Sequence, residues 1–167
     1  MNKTEIIAAL GLEGHFEGGY FRAMFRATER EPFATANGPR LSMTSIYYML
    51  TDDSPVDVFH TKHSDGIQYY QMGAPITYHL IHPTGEHEVV VVGPDLAHGH
   101  KLCLAVTGGT WKAAELTGGE YGLVSEVVSP GWELDDMVLA TRGQLLQLFP
   151  QHEALVSRLT RPDGAKN

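Results

Sequence analysis

Short apolar runs, broken at regular intervals by turn residues, fill the middle of the chain. From residue 56 to residue 128 these runs are rich in β-branched and aromatic residues and recur about every ten residues. Turn sequences such as Gly73-Ala74-Pro75 and Gly118-Gly119 separate them. The pattern predicts an antiparallel β-sandwich or barrel. The predicted strands cover residues 20–26, 41–51, 56–60, 67–72, 76–82, 88–92, 102–106, 112–116 and 121–128.

Helical patterns occur only near the two ends of the chain. Asn2 and Glu5 have the spacing of a capping box, and Gly11 is placed to end the helix that follows. Residues 142–149 and 153–159 also predict helix, interrupted at Pro150. We therefore expect one domain over residues 1–167, with a helix at about 3–11, a barrel at about 18–140 and helices at about 141–160.

Composition narrows the class of protein. The 167 residues carry a net charge of −8 without a block of Lys or Arg, which disfavours nucleic acid and anionic membranes as partners. No apolar run reaches the roughly 20 residues of a membrane span. Cys103 is the only cysteine, so no intrachain disulfide can form, and a reducing cytoplasm is the expected location.

One motif carries most of the functional information. His60-Thr61-Lys62-His63-Ser64-Asp65-Gly66 is followed seven residues later by Gly73. This spacing resembles the cupin motif H-x-H-x-x-x-E with its later glycine, in which two histidines and the glutamate bind a metal. Lys62 stands at the second histidine position and Gly66 at the glutamate position. A later block, residues 107–112, resembles P-x-G-x-x-H but ends in Lys112.

Other blocks extend the resemblance over nearly the whole chain, and they are similar to the cupin-5 or DUF985 family. These blocks are residues 15–22 (HFEGGYFR), 44–50 (TSIYYML), 109–111 (GTW), 130–134 (PGWEL) and 159–161 (LTR). The family is described as predicted sugar epimerases. The resemblance implies a mainly β protein with a single RmlC-like jelly-roll barrel and short terminal helices.

The residues at the cupin ligand positions predict that the metal has been lost. A catalytic first-row metal needs at least three protein ligands, and a protonated lysine has no lone pair to offer. Only His60 qualifies, so we expect neither a metal nor another cofactor. His63, Asp65 and His79 remain possible members of a different metal site.

In place of the metal, the sequence predicts a polar cavity. Alternation along a strand puts His60 and Lys62 on the same face, and the cupin register adds Gln68, Tyr70 and Lys112. Burial and mutual repulsion of the two lysines predict a lowered pKa for one of them. Such a site suits a carboxylate, phosphate or enolate. Alternatively, the lysine side chains leave through the barrel mouth and are solvated there.

Two residues are candidates for proton transfer: His60 as the base and Tyr70 as the acid, with His60 equally able to be a core residue. Lys62, Gln68 and Lys112 are the candidate substrate-binding residues. Glu17 and Arg22 are added to them, although a surface ion pair is the more ordinary role for these two.

Two functions follow from this reading. The first is a metal-independent epimerase or isomerase acting next to a carbonyl on a sugar- or acid-like substrate. The second is a non-catalytic binder of a small polar or anionic molecule, with a degenerate metal site. A homodimer is expected, because cupins commonly pair through sheet edges and exposed edge strands need covering.

Overall fold

The computed structural model describes residues 1–163, and most of its strands belong to two antiparallel sheets. The larger sheet has the order β1-β2-β5-β12-β7-β10. Its strands are β1 (Glu13–Gly14), β2 (Tyr20–Arg26), β5 (Thr44–Thr51), β7 (Asp65–Gly73), β10 (Cys103–Val106) and β12 (Tyr121–Ser129). The mainly β prediction is confirmed.

The smaller sheet has five strands in the order β13-β6-β11-β8-β9. They are β6 (Val56–Lys62), β8 (Ile76–Ile81), β9 (His87–Val92), β11 (Trp111–Glu115) and β13 (Met137–Leu139). A separate hairpin joins β3 (Phe33–Thr35) to β4 (Gly38–Arg40). The two large sheets are not hydrogen-bonded into a closed barrel, so the jelly roll has the form of a sandwich.

Short helices pack on part of the outer face of each sheet. Helix α1 (Lys3–Leu10) begins with the predicted capping box and ends at Gly11, which has the left-handed conformation (φ 61°). Helices α2 (Arg142–Leu148) and α3 (Glu153–Arg158) are separated by a 3₁₀ turn that starts at Pro150. Among the described residues, no helix is long and apolar enough to cross a membrane.

Alternation along the strands divides the core into three clusters. Tyr48 and Leu50 point between the sheets, whereas Met49, between them in sequence, packs under α1 with Ile6. On the other side, Phe59 and Ile81 of the smaller sheet pack against the C-terminal helices. The polar residues discussed next lie in the space between the two sheets.

Candidate functional site

A cavity of about 100 Å³ lies between the two sheets. Alternate residues of three neighbouring strands of the larger sheet line it: Phe21, Ala23 and Phe25 of β2, Thr44, Ile46 and Tyr48 of β5, and Val124, Glu126 and Val128 of β12. Lys62 and Lys112 reach it from the smaller sheet. The cavity is therefore built by the alternation that the sequence predicted.

Glu126 is the centre of the polar network at this cavity. Its side chain is buried, and it accepts hydrogen bonds from Lys62 Nζ at 2.8 Å, Lys112 Nζ at 3.3 Å and Gln68 Nε2 at 2.5 Å. Gln68 is its neighbour in the ladder between β7 and β12, while the two lysines come from the opposite sheet. The structure brings Lys62, Gln68 and Lys112 together around Glu126, a carboxylate that was not predicted.

This carboxylate overturns two expectations about the lysines. Burial, the largest single effect, lowers the pKa of Lys112, but Glu126 and the other acidic groups around it together outweigh burial, and the pKa lies above its usual value. Burial alone would likewise raise the pKa of Glu126, but Lys112 and Lys62 hold it well below its usual range. The predicted lowered pKa is therefore wrong for Lys112. Because both ammonium groups bond Glu126, the alternative of solvated lysine ends is also wrong.

Glu126 also explains how the chain tolerates Gly66 at the cupin glutamate position. A Cβ added to Gly66 would lie 3.2 Å from Glu126 Oε1. The space beside Gly66 is thus occupied by a carboxylate from the neighbouring strand. The region therefore keeps a negative charge, but this charge is paired with Lys62 and Lys112.

Glu17 reaches the site because two glycines follow it. Gly18 and Gly19 have φ of 118° and 70°, and a Cβ on Gly18 would lie 2.0 Å from the Val56 carbonyl oxygen. The loop is fixed by hydrogen bonds from Val58 N to Glu17 O and from Tyr48 Oη to Gly18 O. Glu17 is 5% exposed, so the expectation of a surface ion pair is wrong for it.

Glu17 then meets Asp57 and His60 in a second buried group. Glu17 Oε1 and Asp57 Oδ1 each lie 3.5 Å from His60 Nδ1. Neither oxygen has a hydrogen-bond partner within residues 1–163. His15 Nδ1 lies 3.3 Å from Glu17 Oε2, and burial lowers the pKa of His15 to about 4.

Burial controls the protonation of both carboxyl groups in this group. It raises the pKa of Glu17 to about 7, although Lys62 and Lys112 act in the opposite direction. Burial and, after it, the nearby Glu17 raise the pKa of Asp57 well above its usual value. At neutral pH Glu17 is therefore near its midpoint, and the shift of Asp57 favours its protonated form. Two neighbouring carboxyl groups with perturbed pKa values are a common basis for acid–base chemistry.

His60 is fixed as a neutral ring. Burial and the charges of Lys112 and Lys62 lower its pKa well below the usual value. Its Nδ1 lies 2.9 Å from the Val58 carbonyl oxygen and donates a hydrogen bond to it. The proton of the neutral ring is therefore on Nδ1, and the free lone pair is on Nε2. This nitrogen has no hydrogen-bond partner among the described residues. His60 lines a second, smaller cavity of about 20 Å³, shared with Lys62 and Lys112, with room for about one water molecule.

The residues at the cupin ligand positions do not fit a first-row transition metal. Lys62 and Lys112 stand at two of the four positions as hydrogen-bonded cations, and Gly66 has no side chain. Glu17, Asp57 and His60 do bring three donor atoms within 4.8 Å of one another. In that group, however, His60 Nδ1 carries a proton, and metal ligands must be deprotonated.

We predict that the purified protein carries well under one equivalent of zinc, iron, nickel or manganese per chain. The ammonium groups of Lys62 and Lys112 repel a divalent ion from the region around His60. Elemental analysis after extensive dialysis measures this content. Stoichiometric metal that disappears in His60→Ala or Glu17→Gln would contradict the prediction. It would show that Glu17, Asp57 and His60 bind the metal.

The alternative metal site of His63, Asp65 and His79 is not assembled. Within residues 1–163, the only three side chains of the ligand types that come within reach of one ion are those of Glu17, Asp57 and His60. Asp65 accepts a hydrogen bond from Gly108 N, and His79 Nε2 lies 2.9 Å from Glu115 Oε1.

Two of the predicted site residues, Tyr70 and Arg22, lie outside the lining of both cavities. Tyr70 follows Gln68 by two residues on the same strand face, but it packs into the apolar core, and its hydroxyl donates to the Gly73 carbonyl. Arg22 is exposed on β2 and donates from Nη1 to Leu10 O at the end of α1. We therefore remove Tyr70 as the candidate acid and Arg22 as a candidate ligand-binding residue.

Sequence reasoning missed three polar residues of the site: Glu126, Asp57 and His15. Glu126 is a charged residue in the mostly apolar strand sequence 121–128, and Asp57 similarly interrupts the apolar residues 56–59. A charged residue within an apolar strand is a usable signal, because burial without a partner is costly. The signal identifies neither the partner nor the cavity.

Comparison with known proteins places the chain in a family. Its sequence matches the family model described as "Cupin superfamily (DUF985)" over residues 4–140. It is also 35% identical over 139 residues to the "Uncharacterized protein YML079W" of Saccharomyces cerevisiae. That match covers 73% of this chain and 67% of the yeast protein.

Solved structures agree with this match. A hypothetical protein from Leishmania major aligns with a TM-score of 0.89 and 29% identity, over 96% of this chain and 99% of its own. Protein SO0799 from Shewanella oneidensis aligns with a TM-score of 0.87 and 34% identity, over 98% of this chain and 99% of its own. Oxalate decarboxylase from Bacillus subtilis aligns with a TM-score of 0.56 and 13% identity, over 90% of this chain and 37% of its own. This match shows a similarity of fold alone. The chain belongs to the cupin superfamily, in the DUF985 family.

Proposed function

We propose that the protein binds a small carbonyl compound in the larger cavity and, as an isomerase or epimerase, moves the proton on the carbon next to the carbonyl. One observation carries the proposal: Glu17 lines this cavity, has an unpartnered oxygen and has a pKa of about 7. A general base is most effective when its pKa lies near the working pH.

The reaction uses Glu17 and the two lysines. Ionised Glu17 takes the proton from the carbon, and the electron pair moves onto the carbonyl oxygen to give an enolate. The ammonium groups of Lys62 and Lys112 stabilise that negative oxygen. Glu17, whose carboxyl proton exchanges with solvent, then delivers a proton to a carbon of the enolate as the C=O bond re-forms, so no oxidant or reductant is required.

The remaining polar residues hold this machinery in place. Glu126 keeps Lys62 and Lys112 protonated and fixes where their charges lie. Asp57 and His60 flank Glu17, and His60, the base predicted from sequence, becomes a positioning residue in this proposal. Its free Nε2 belongs to the smaller cavity.

A second candidate function is non-catalytic binding in the same cavity. Its support is the bonding of both lysines to Glu126, which compensates part of their charge inside the protein. In this reading Glu17 is only a ligand contact. The two functions differ in whether a bound compound loses a carbon-bound proton to solvent.

A binding screen followed by isotope exchange tests the proposal. We expect at least one compound among keto acids, sugar phosphates and nucleotide sugars to raise the melting temperature. In D₂O that compound should acquire deuterium next to its carbonyl faster than in protein-free buffer, as followed by NMR. Binding without deuterium exchange above that in protein-free buffer would favour the non-catalytic function. If no compound of these classes binds, both candidate functions are overturned.

The homodimer and the cytoplasmic location remain predictions of the same proposal. Exposed apolar side chains are present on the surface, including Met24 and Phe33. Covering them in a second copy of the chain is compatible with the open edges of both sheets.

A further inference from the structure

The larger cavity has an apolar wall along most of its extent. Apolar side chains from β2, β5 and β12 line it, and two further residues from the loop after β12 and from β13 complete it. The main wall residues are Phe21, Phe25, Ile46, Val124, Val128, Trp132 and Met137. Phe25 is 51% exposed, which places one aromatic ring at the solvent side of the cavity.

The strongly polar groups converge instead on a single region. Lys62, Gln68 and Lys112 all bond the same carboxylate, that of Glu126. Lys62 and Lys112 also act electrostatically on Glu17. Arg26, which also lines the cavity, is paired with Glu133 at 2.5 Å. A ligand that fills this cavity therefore meets buried charge where these side chains converge and mostly hydrocarbon along the rest, apart from the exposed Arg26–Glu133 pair.

The charge of the polar end favours a single negative charge on the ligand. Lys62 and Lys112 carry two positive charges against one ionised carboxylate, Glu126, and against a second one whenever Glu17 is ionised, so the polar end has at most one net positive charge. A monocarboxylate balances that charge. A dianionic phosphate would leave an excess negative charge in a region that already contains three carboxyl groups.

Resting on the proposed function, we propose that the ligand is a monocarboxylic 2-oxo acid that carries an apolar side chain of about one ring in size. The carboxylate and the carbonyl oxygen lie toward Lys62 and Lys112, and the ring lies against Phe25, Val128 and Trp132. A sugar is disfavoured, because each hydroxyl group set against the apolar wall loses its water without gaining a partner.

Three probes separate the ligand classes: phenylpyruvate, pyruvate and glucose 6-phosphate, compared by calorimetric titration. We expect phenylpyruvate to bind about 30-fold more tightly than pyruvate, because its ring leaves water for the apolar wall. We expect the sugar phosphate to bind more weakly than phenylpyruvate. 3-Phenylpropionate, which lacks the carbonyl, should bind without exchanging its carbon-bound protons.

Two pairs of variants locate the ligand. Phe25→Ser should reduce the ratio between the phenylpyruvate and pyruvate affinities by about fivefold. Phe33→Ser, which removes a 41% exposed ring from β3 outside the cavity lining, should leave that ratio unchanged. Lys62→Met should weaken phenylpyruvate binding at least tenfold, as expected for a lost charged hydrogen bond. Lys101→Met, at an exposed position, should not.

The outcomes also distinguish this inference from the proposed function. Tighter binding of glucose 6-phosphate with deuterium exchange into it would overturn the apolar-acid inference and leave the proton-transfer proposal standing. Phenylpyruvate binding that depends on Phe25 and Lys62, with no more exchange than in buffer, would support the ligand class and overturn the proton transfer. Absence of binding by all three probes would overturn the inference.

Discussion

Replacing Glu126 with Gln is expected to lower the free energy of unfolding by about 3 kcal/mol at neutral pH, the low end of the cost of breaking a buried ion pair. The substitution keeps the shape of the side chain but leaves the ammonium groups of Lys62 and Lys112 without their charged partner. Urea denaturation of the parent and the variant measures the difference.

The pH dependence of this loss has a defined sign. The pKa of Glu126 in the folded protein lies below its ordinary value of 4.5. Its stabilising contribution is therefore complete above about pH 4.5 and is lost as the pH falls through the lower, folded-state pKa. The stability difference between parent and Glu126→Gln should accordingly be constant near neutrality and shrink in acid.

Two further variants control this experiment. Glu120→Gln, an exposed change in the turn before β12, should alter the free energy of unfolding by less than about 0.5 kcal/mol. The double variant Glu126→Gln, Lys112→Met should recover part of the lost free energy of unfolding, because it removes one unpaired buried charge. A loss below about 1 kcal/mol for Glu126→Gln would contradict the central role given to this carboxylate.

Replacing Glu17 with Gln is expected to reduce deuterium exchange into a bound carbonyl compound by at least about a hundredfold, the usual contribution of a general base. In the parent, exchange should rise with pH and level off above about pH 7, as Glu17 loses its proton. NMR-detected exchange across pH 5–9 tests both statements. The exposed Glu13→Gln should retain the rate and the pH profile.

Stability provides a second measurement for the same variant. The folded-state pKa of Glu17, about 7, lies above the ordinary value of 4.5, so the folded protein holds this proton more tightly than the unfolded chain. Parent stability should therefore fall, relative to Glu17→Gln, as the pH rises from about 4.5 through about 7. A pH-independent difference would show that Glu17 is not a buried titrating carboxyl group and would remove it as the base.

Much of the framework could be predicted from local sequence. The capping box at Asn2 and Glu5 and the break at Pro150 were predicted correctly, because such signals act within one turn of helix. Alternation correctly put His60 and Lys62 on one strand face, since a strand has a period of two residues. Family resemblance supplied the jelly-roll arrangement that local patterns do not determine.

What the tertiary structure decided is how the charges are paired. Lys62 and Glu126 are separated by 64 residues and lie on opposite sheets, so no local pattern links them. A lowered pKa for one lysine was predicted from burial and the repulsion of two like charges, and for Lys112 the acidic groups around it, Glu126 foremost, reverse the direction of the shift. Glu17 was likewise predicted to lie at the surface, but the backbone of Gly18 packs against β6 and Glu17 is buried. Sequence determined which residues share a strand face, whereas pKa values and partners depend on distances of a few ångströms across the sandwich, which only packing sets.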